Sequence, residues 1–279
     1  MILTFCDFLQ DDSSSLMPLS YFYGHTSPKA NSELYRSLVT VMGTKINERM
    51  KNDPDTSAAG MIIDTHAWAD TNDLEGILHY TRALDVDVIL VTDDRLYSTL
   101  KPNLENSTVV VAKLPRSGGV VTVDAATKRR KRKARINEYF YGEKVQPGHP
   151  PTLSPARVTL RLNSYQFWQM GGLQMHEGIR VHGSTASSDP LQFIPMPKTR
   201  DSLLHSIVAV LHKTDSPAAE ESTLEGAGDG AQKNTVSVVA GFLYIADVDT
   251  DKDTVDVLAP CPGALPSKNI VVGSLKWFE

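Results

Sequence analysis

Cysteine is almost missing from this 279-residue sequence: only Cys6 and Cys261 occur, far apart and without His or Cys at ligand spacing. That excludes a disulfide framework and a cysteine-based zinc site, and it fits a reducing compartment. The eight histidines show no metal-ligand spacing either, so no metal site is assigned from the sequence. No apolar run approaches the roughly 20 residues of a membrane-spanning helix, and no membrane partner is expected. The apolar residues 1–10 lack a basic flank and soon meet Asp11 and Asp12, which a secretory signal would not carry. A further absence bears on chemistry. Two glycines five apart followed by Lys and then Ser or Thr, the pattern that cradles phosphates, occur nowhere, and no Gly is followed by Lys at all. Internal repeats are also absent.

What is present suffices for a folded protein. A chain of this length with 41% hydrophobic residues buries a core and suggests one or two domains. The first part alternates strand-like and helical patterns. A short apolar run at 19–23 stops at Gly24, and helical spacing follows over 31–51. Buried-strand-like runs at 60–64 and 86–92 flank a helical stretch containing Leu74, Ile77, Leu78 and Leu84. Another helix, 94–100, and a β-branched run, 108–111, complete the pattern of an α/β domain with a doubly wound parallel sheet. After a proline-rich hinge at 147–155, short β-like runs at 158–162, 191–196, 236–247, 254–258 and 270–275 are separated by Gly, Pro and Asp turns. The expected organisation is therefore an α/β domain over 1–145, with a helix at about 124–141, and a smaller, mostly β domain over 146–279. Residues 214–235, rich in Glu, Ala, Gly and Ser, contain too little aliphatic surface to offset ordering entropy, so a disordered loop is expected there.

Three strand ends carry unusual residues: Gly24 to Pro28, Asp64 to Trp68, and Ser117 to Val120. In a doubly wound sheet these fall on the rim where ligands bind. Trp68 offers a flat face on which a base can stack, although an indole in this position is more commonly a core residue under a helix. Thr26 and Ser27 either contact phosphate or cap the helix that follows. The formal net charge of -5 conceals an unbroken basic run, 128–133, followed by Arg135 and the aromatic cluster Tyr139, Phe140 and Tyr141. A solvated face, a nuclear-import signal and a phosphate clamp are all open readings of that run.

The ordered segments PLSYFYGHTSP (18–28), GMIIDTHAW (60–68), DVDVILV (85–91), RLYSTLK (95–101), KLPRSGGVV (113–121) and RINEYFYG (135–142) occur in one succession. So do VAGFLYIADVD (239–249) and VLAPCPGALPSKNIVVG (257–273). Together they resemble the eukaryotic polynucleotide 5′-hydroxyl kinases typified by the Clp-type subunit of the messenger-RNA cleavage and polyadenylation factor, in its C-terminal half only. The resemblance implies a substrate clasp at Thr65 and Trp68 and a lid carrying Arg132 and Arg135. From their place on the rim, Thr26 and Ser27 are candidate substrate contacts and Ser117, Gly118 and Gly119 candidate cofactor contacts. The resemblance also implies ATP and Mg2+, which this chain alone is not expected to bind tightly, because the family's phosphate loop and acidic strand have no counterpart here. Asn137, His66 and Ala67 depart from the family pattern. The resulting expectation is a nuclear RNA-binding and partner-binding subunit of the cleavage and polyadenylation complex. The alternatives are an RNA 5′-hydroxyl kinase whose N-terminal half lies outside this chain, and a truncated, non-functional product.

Overall fold

The structure, a computed structural model, describes residues 2–5, 19–65, 73–121, 123–142, 152–170, 189–212 and 238–278. Trp68, the expected loop at 214–235 and residues 147–151 of the expected hinge lie outside these. Backbone contacts divide the chain into two compact units. The first comprises the described parts of 1–6, 16–38 and 124–279, and the second those of 7–15 and 39–123. The expected boundary at 145/146 divides the chain differently, since here the helix at 125–141 packs with the C-terminal sheet.

The first unit is built on a seven-stranded sheet. Its strands are β5 (Ala156–Arg161), β6 (Gln166–Met170), β7 (Phe193–Pro195), β8 (Ser206–Leu211), β9 (Val239–Asp249), β10 (Thr254–Ala259) and β11 (Asn269–Lys276). They lie in the order β5-β10-β9-β8-β11-β6-β7, antiparallel except for the β11–β6 pair. Val208, Val210, Leu243, Ile245, Val255, Val257 and Ile270 pack on one face with Phe167 and Leu203. Ile207, Tyr244 and Leu258 pack on the other with Phe140 and Trp277. All six residues of β8 are buried, as both of its faces are covered. Neither β6 nor β8 was anticipated from composition. A separate antiparallel pair joins β1 (Ile2–Phe5) and β2 (Leu19–Phe22).

Helix α1 (Ser32–Asn52) gives its first residues to this unit and Val39 onward to the second. The second unit adds α2 (Pro54–Ala59), α3 (Leu74–Ala83), β3 (Val88–Val91), α4 (Asp94–Leu104) and β4 (Val110–Lys113). The parallel pair β3–β4 packs Ile89, Val91 and Val111 against Leu74, Ile77 and Leu78 of α3 and Leu96, Leu100 and Leu104 of α4. The architecture is α/β with a parallel sheet and a mostly β C-terminal portion. One detail differs from expectation: residues 60–64 form no strand, and Ile62 is 99% exposed. The composition is strand-like, but a strand also needs neighbouring backbone to pair with, and none of the described segments supplies it.

Helices start where short carboxylates can cap them. The Asp73 carboxylate accepts from Gly76, that of Asp93 from Arg95 and Leu96, and that of Asp53 from Asp55 and Thr56. Hydrogen bonds to the Leu96 amide hold Asp93 below the ordinary 3.8, and the Thr56 hydroxyl and amide do the same for Asp53. A carboxyl depressed on folding stabilises the fold above its unfolded value, and the benefit disappears as pH falls through the folded value. The urea midpoint is therefore expected to drop between ~pH 5 and ~pH 2.5. In Asp93→Asn that drop should shrink; an unchanged drop would remove Asp93 from the set.

Candidate nucleic-acid interface

The loop 24–28 is fixed from both ends. Tyr23 is buried; its hydroxyl accepts from the Asn31 amide at 3.0 Å and lies 3.0–3.1 Å from the carbonyls of Ser27, Pro28 and Asn31. Burial raises its pKa, and burial together with the neighbouring Tyr23 pushes Tyr35 up to about 12. The Gly24 carbonyl accepts from the Ser274 amide of β11 at 2.9 Å, and His25 Nδ1 meets the Ser274 hydroxyl at 2.8 Å. Burial lowers the His25 pKa, which favours the neutral ring. Ser27 caps a short 3-10 turn, Pro28–Ala30, by accepting from the Lys29 amide at 3.4 Å, while Thr26 is exposed. Ser27 thus caps this short turn, whereas the α1 helix expected to follow it is capped by Asn31, whose side chain accepts from the Leu34 amide at 3.1 Å.

In the second unit, Ser117, Gly118 and Gly119 form an exposed turn closed by a Val120 amide bond to the Ser117 carbonyl at 3.2 Å. A Cβ added at Gly118 would meet nothing within 4 Å, and one added at Gly119 would meet only the Ser117 hydroxyl, at 3.9 Å. Neither glycine is therefore required by packing within the chain. Two acids at the start of α4 are engaged by basic residues that precede this turn. Asp93 pairs with Arg116 at 2.7 Å while capping α4, and Asp94 pairs with Lys113. No group of three or more His, Cys, Asp or Glu able to hold a metal ion occurs among the described residues. Among the described residues, then, no side-chain cluster is in place to hold Mg2+. Thr65 is exposed at the end of a described stretch, and Trp68 lies beyond it.

The basic run belongs to α5 (Ala125–Tyr141), which Asp124 opens by accepting from the Thr127 amide at 2.8 Å. Its two halves have opposite characters. The C-terminal half is anchored. Phe140, 1% exposed, lies parallel to Trp277 with centroids 5.7 Å apart, and the Tyr139 hydroxyl accepts from the Phe242 amide at 2.9 Å. Phe242 of β9 also packs against Phe22 of β2. One residue of the sheet thus supports both the strand leading to the 24–28 loop and the basic helix. The other half is solvated: every residue from Lys128 to Arg135 is exposed. Lys133 reaches the Phe278 carbonyl at 3.3 Å and Arg135 pairs with Glu138 at 3.2 Å, whereas Lys128 through Arg132 have no acidic partner among the described residues. Of the chain's 28 Lys and Arg, seven lie within these eight positions, so a local cationic surface sits on an acidic protein.

A groove of about 250 Å³ opens along β5, β9 and β10, and both of its acids are engaged. Asp256 accepts from the Thr159 hydroxyl at 2.6 Å, and Asp247 pairs with Arg200 at 2.6 Å. Beside the sheet, the Lys276 ammonium donates to the carbonyls of Ser202 and Leu204 and to the Ser206 hydroxyl, at 3.0, 2.7 and 2.7 Å. Burial lowers its pKa. Neither feature has a signature in the sequence, because the partners are brought together only by sheet register.

Two family models match the chain. That of the mRNA cleavage and polyadenylation factor CLP1 P-loop matches residues 7–142, and that of the pre-mRNA cleavage complex II protein Clp1 matches residues 153–279. A protein CLP1 homolog of Arabidopsis thaliana is 36% identical over 266 residues, which cover 94% of this chain and 55% of that protein. The polyribonucleotide 5′-hydroxyl-kinase Clp1 of Xenopus tropicalis is 28% identical over 272 residues, covering 97% of this chain and 58% of that protein. In structure, the chain resembles Clp1p as solved with Pcf11p, with a TM-score of 0.72 and 24% identity, over 97% of this chain and 59% of that one. That likeness establishes the fold. The chain spans little more than half the length of each of these proteins.

Proposed function

The chain belongs to the Clp1 family, and from that premise we propose that it is a nuclear subunit of the pre-messenger-RNA cleavage and polyadenylation machinery, a kinase-derived scaffold that binds RNA and a partner protein. The observation that carries the RNA part is α5, clamped at Phe140 and Tyr139 while its unpaired cations face solvent. Cations held on a fixed support, without intramolecular acids, suit phosphates along a strand. For the partner, the support is the likeness to Clp1p, which is solved bound to Pcf11p.

The second reading is a kinase, favoured by relatives named polyribonucleotide 5′-hydroxyl-kinase. Phosphoryl transfer depends on positioned phosphates and metal, which supply most of the catalysis. This chain's sequence contains no phosphate-cradling loop, and Asp93 and Asp94 are committed to Arg116 and Lys113. Purified chain given labelled ATP and a 5′-hydroxyl RNA oligonucleotide is therefore expected to transfer no label, while retaining a Pcf11-type partner in a pull-down. Label transfer would establish the kinase reading instead, and failure of both assays would leave a truncated product.

Trp68 gives an independent check on the RNA reading. If its indole stacks on a base, Trp68→Ala should weaken RNA binding by about 1–3 kcal/mol while leaving the melting temperature nearly unchanged. A large fall in melting temperature with unaltered binding would identify Trp68 as a core residue.

A further inference from the structure

Seven cations in eight consecutive helical positions are placed against the electrostatics of their own helix. Residues three or four apart share a helix face. The run therefore contains seven like-charge neighbours: Lys128 with Lys131 and Arg132, Arg129 with Arg132 and Lys133, Arg130 with Lys133, and Arg135 with Lys131 and Arg132. Each of these pairs disfavours the helix. Glu138 relieves only Arg135, and no acid stands between Lys128 and Asn137. The run also begins in the first turn of α5, where the positive end of the helix dipole disfavours Lys128. Helix formation here rests on the high propensity of Lys, Arg and Ala, on the Asp124 cap, and on the hydrophobic clamp at the far end.

Geometry narrows the ligand. Successive helical residues turn by about 100°, so six adjacent cations project around the whole circumference instead of converging on one point. A compact triphosphate is poorly matched by such a display. A flexible polyanion, whose phosphates can follow a curved cationic surface, is well matched, and single-stranded RNA is the polyanion that fits the function proposed above.

We propose that residues 125–135 of α5 form an RNA-coupled helix: phosphates of a single strand neutralise the crowded cations and so consolidate a segment that is electrostatically strained when free. This rests on the RNA-binding part of the proposed function and not on membership of a complex. The clamp at Phe140 supplies a built-in reference, because residues 136–142 hold their place through packing and not through charge.

The test is hydrogen exchange on the full chain with and without single-stranded oligouridylate at low salt, together with the salt dependence of binding. RNA should slow exchange at 125–135 at least tenfold and leave 136–142 unchanged. A variant with Gln at each of positions 128–133 should lose at least tenfold in affinity and flatten the slope of log affinity against log salt. Without RNA, the same variant should exchange more slowly at 125–135 than the parent, because the repulsion is gone. That last result establishes the repulsion, whereas the protection at 125–135 on adding RNA is what a passive charged surface would not give. Equal RNA affinity in the Gln variant overturns the proposal. So does binding that leaves exchange at 125–135 unchanged, or accelerates it as recognition of an extended basic segment by an import carrier would. Retention of a Pcf11-type partner by the Gln variant separates this failure from failure of the scaffold reading.

Discussion

Gly273→Ala should lower the melting temperature by about 10 °C, even though it adds a single methyl group. A Cβ at this position of β11 would stand 2.3 Å from the Gly24 carbonyl oxygen and 2.5 Å from Gly24 Cα. Both are backbone atoms, so relief requires moving a strand or the loop. The loop has little freedom: Gly24 sits at φ +73, its carbonyl is bonded to the Ser274 amide, and the following turn is gathered around the buried Tyr23 hydroxyl. The strand has less, because Ile270, Val271 and Val272 lie in the core immediately before Gly273. Overpacking costs about 1–3 kcal/mol even where side chains can yield. Loss of the Ser274–Gly24 hydrogen bond adds about 1 kcal/mol. At about 2–4 °C per kcal/mol for a chain of this size, these sum to the stated shift. Gly118→Ala is the control, because its Cβ would meet nothing. Thermal melts followed by circular dichroism decide the matter. A Gly273→Ala melt within a degree of the parent would mean that the 24–28 loop is not seated on β11 as described.

The contrast between these two glycines shows which features were legible in the sequence. Local features were. The α5 helix follows from an Asp cap, a run of strong helix formers and a terminal Gly142, and the β9–β10 hairpin from β-branched strands around an Asp-rich turn. The basic run stands out in any reading, and its solvent exposure follows from its charge. Features made by distant residues were not legible. Gly24 and Gly273 meet across 249 positions, and Phe242 receives Phe22 and Tyr139 from separate parts of the chain. In β8, the run from Ile207 to Leu211 has no alternation, since both faces are buried, and a short continuous apolar run does not distinguish strand from helix. The segment 60–64 illustrates the converse. Its residues suit a strand, but composition carries no information about a pairing partner. Likewise, nothing local indicates that Asp93 and Asp94 are engaged by Arg116 and Lys113, which lie about 20 positions further along the chain.

Phe140→Ala is expected to be the most costly side-chain truncation in the first unit and to separate the support of the basic helix from its charge. The ring is 1% exposed, lies nearly parallel to Trp277 at an interplanar angle of 9°, and packs with Ile207, Tyr244 and Leu258. Trp277 in turn donates its amide to the His205 carbonyl, tying the end of β11 to the turn before β8. Removing a fully buried Phe costs about 3–5 kcal/mol, whereas Phe140→Leu, which nearly conserves volume, should cost less than about 1.5 kcal/mol. Urea unfolding measures both. Under conditions where each variant remains folded, Phe140→Ala should also weaken RNA binding, because α5 would keep its cations but lose the clamp that holds them against the sheet; Phe140→Leu should bind as the parent does. Were Phe140→Ala to lose stability and yet bind RNA with parental affinity and salt dependence, the cations alone would suffice, and the fixed position of α5 would have no part in recognition.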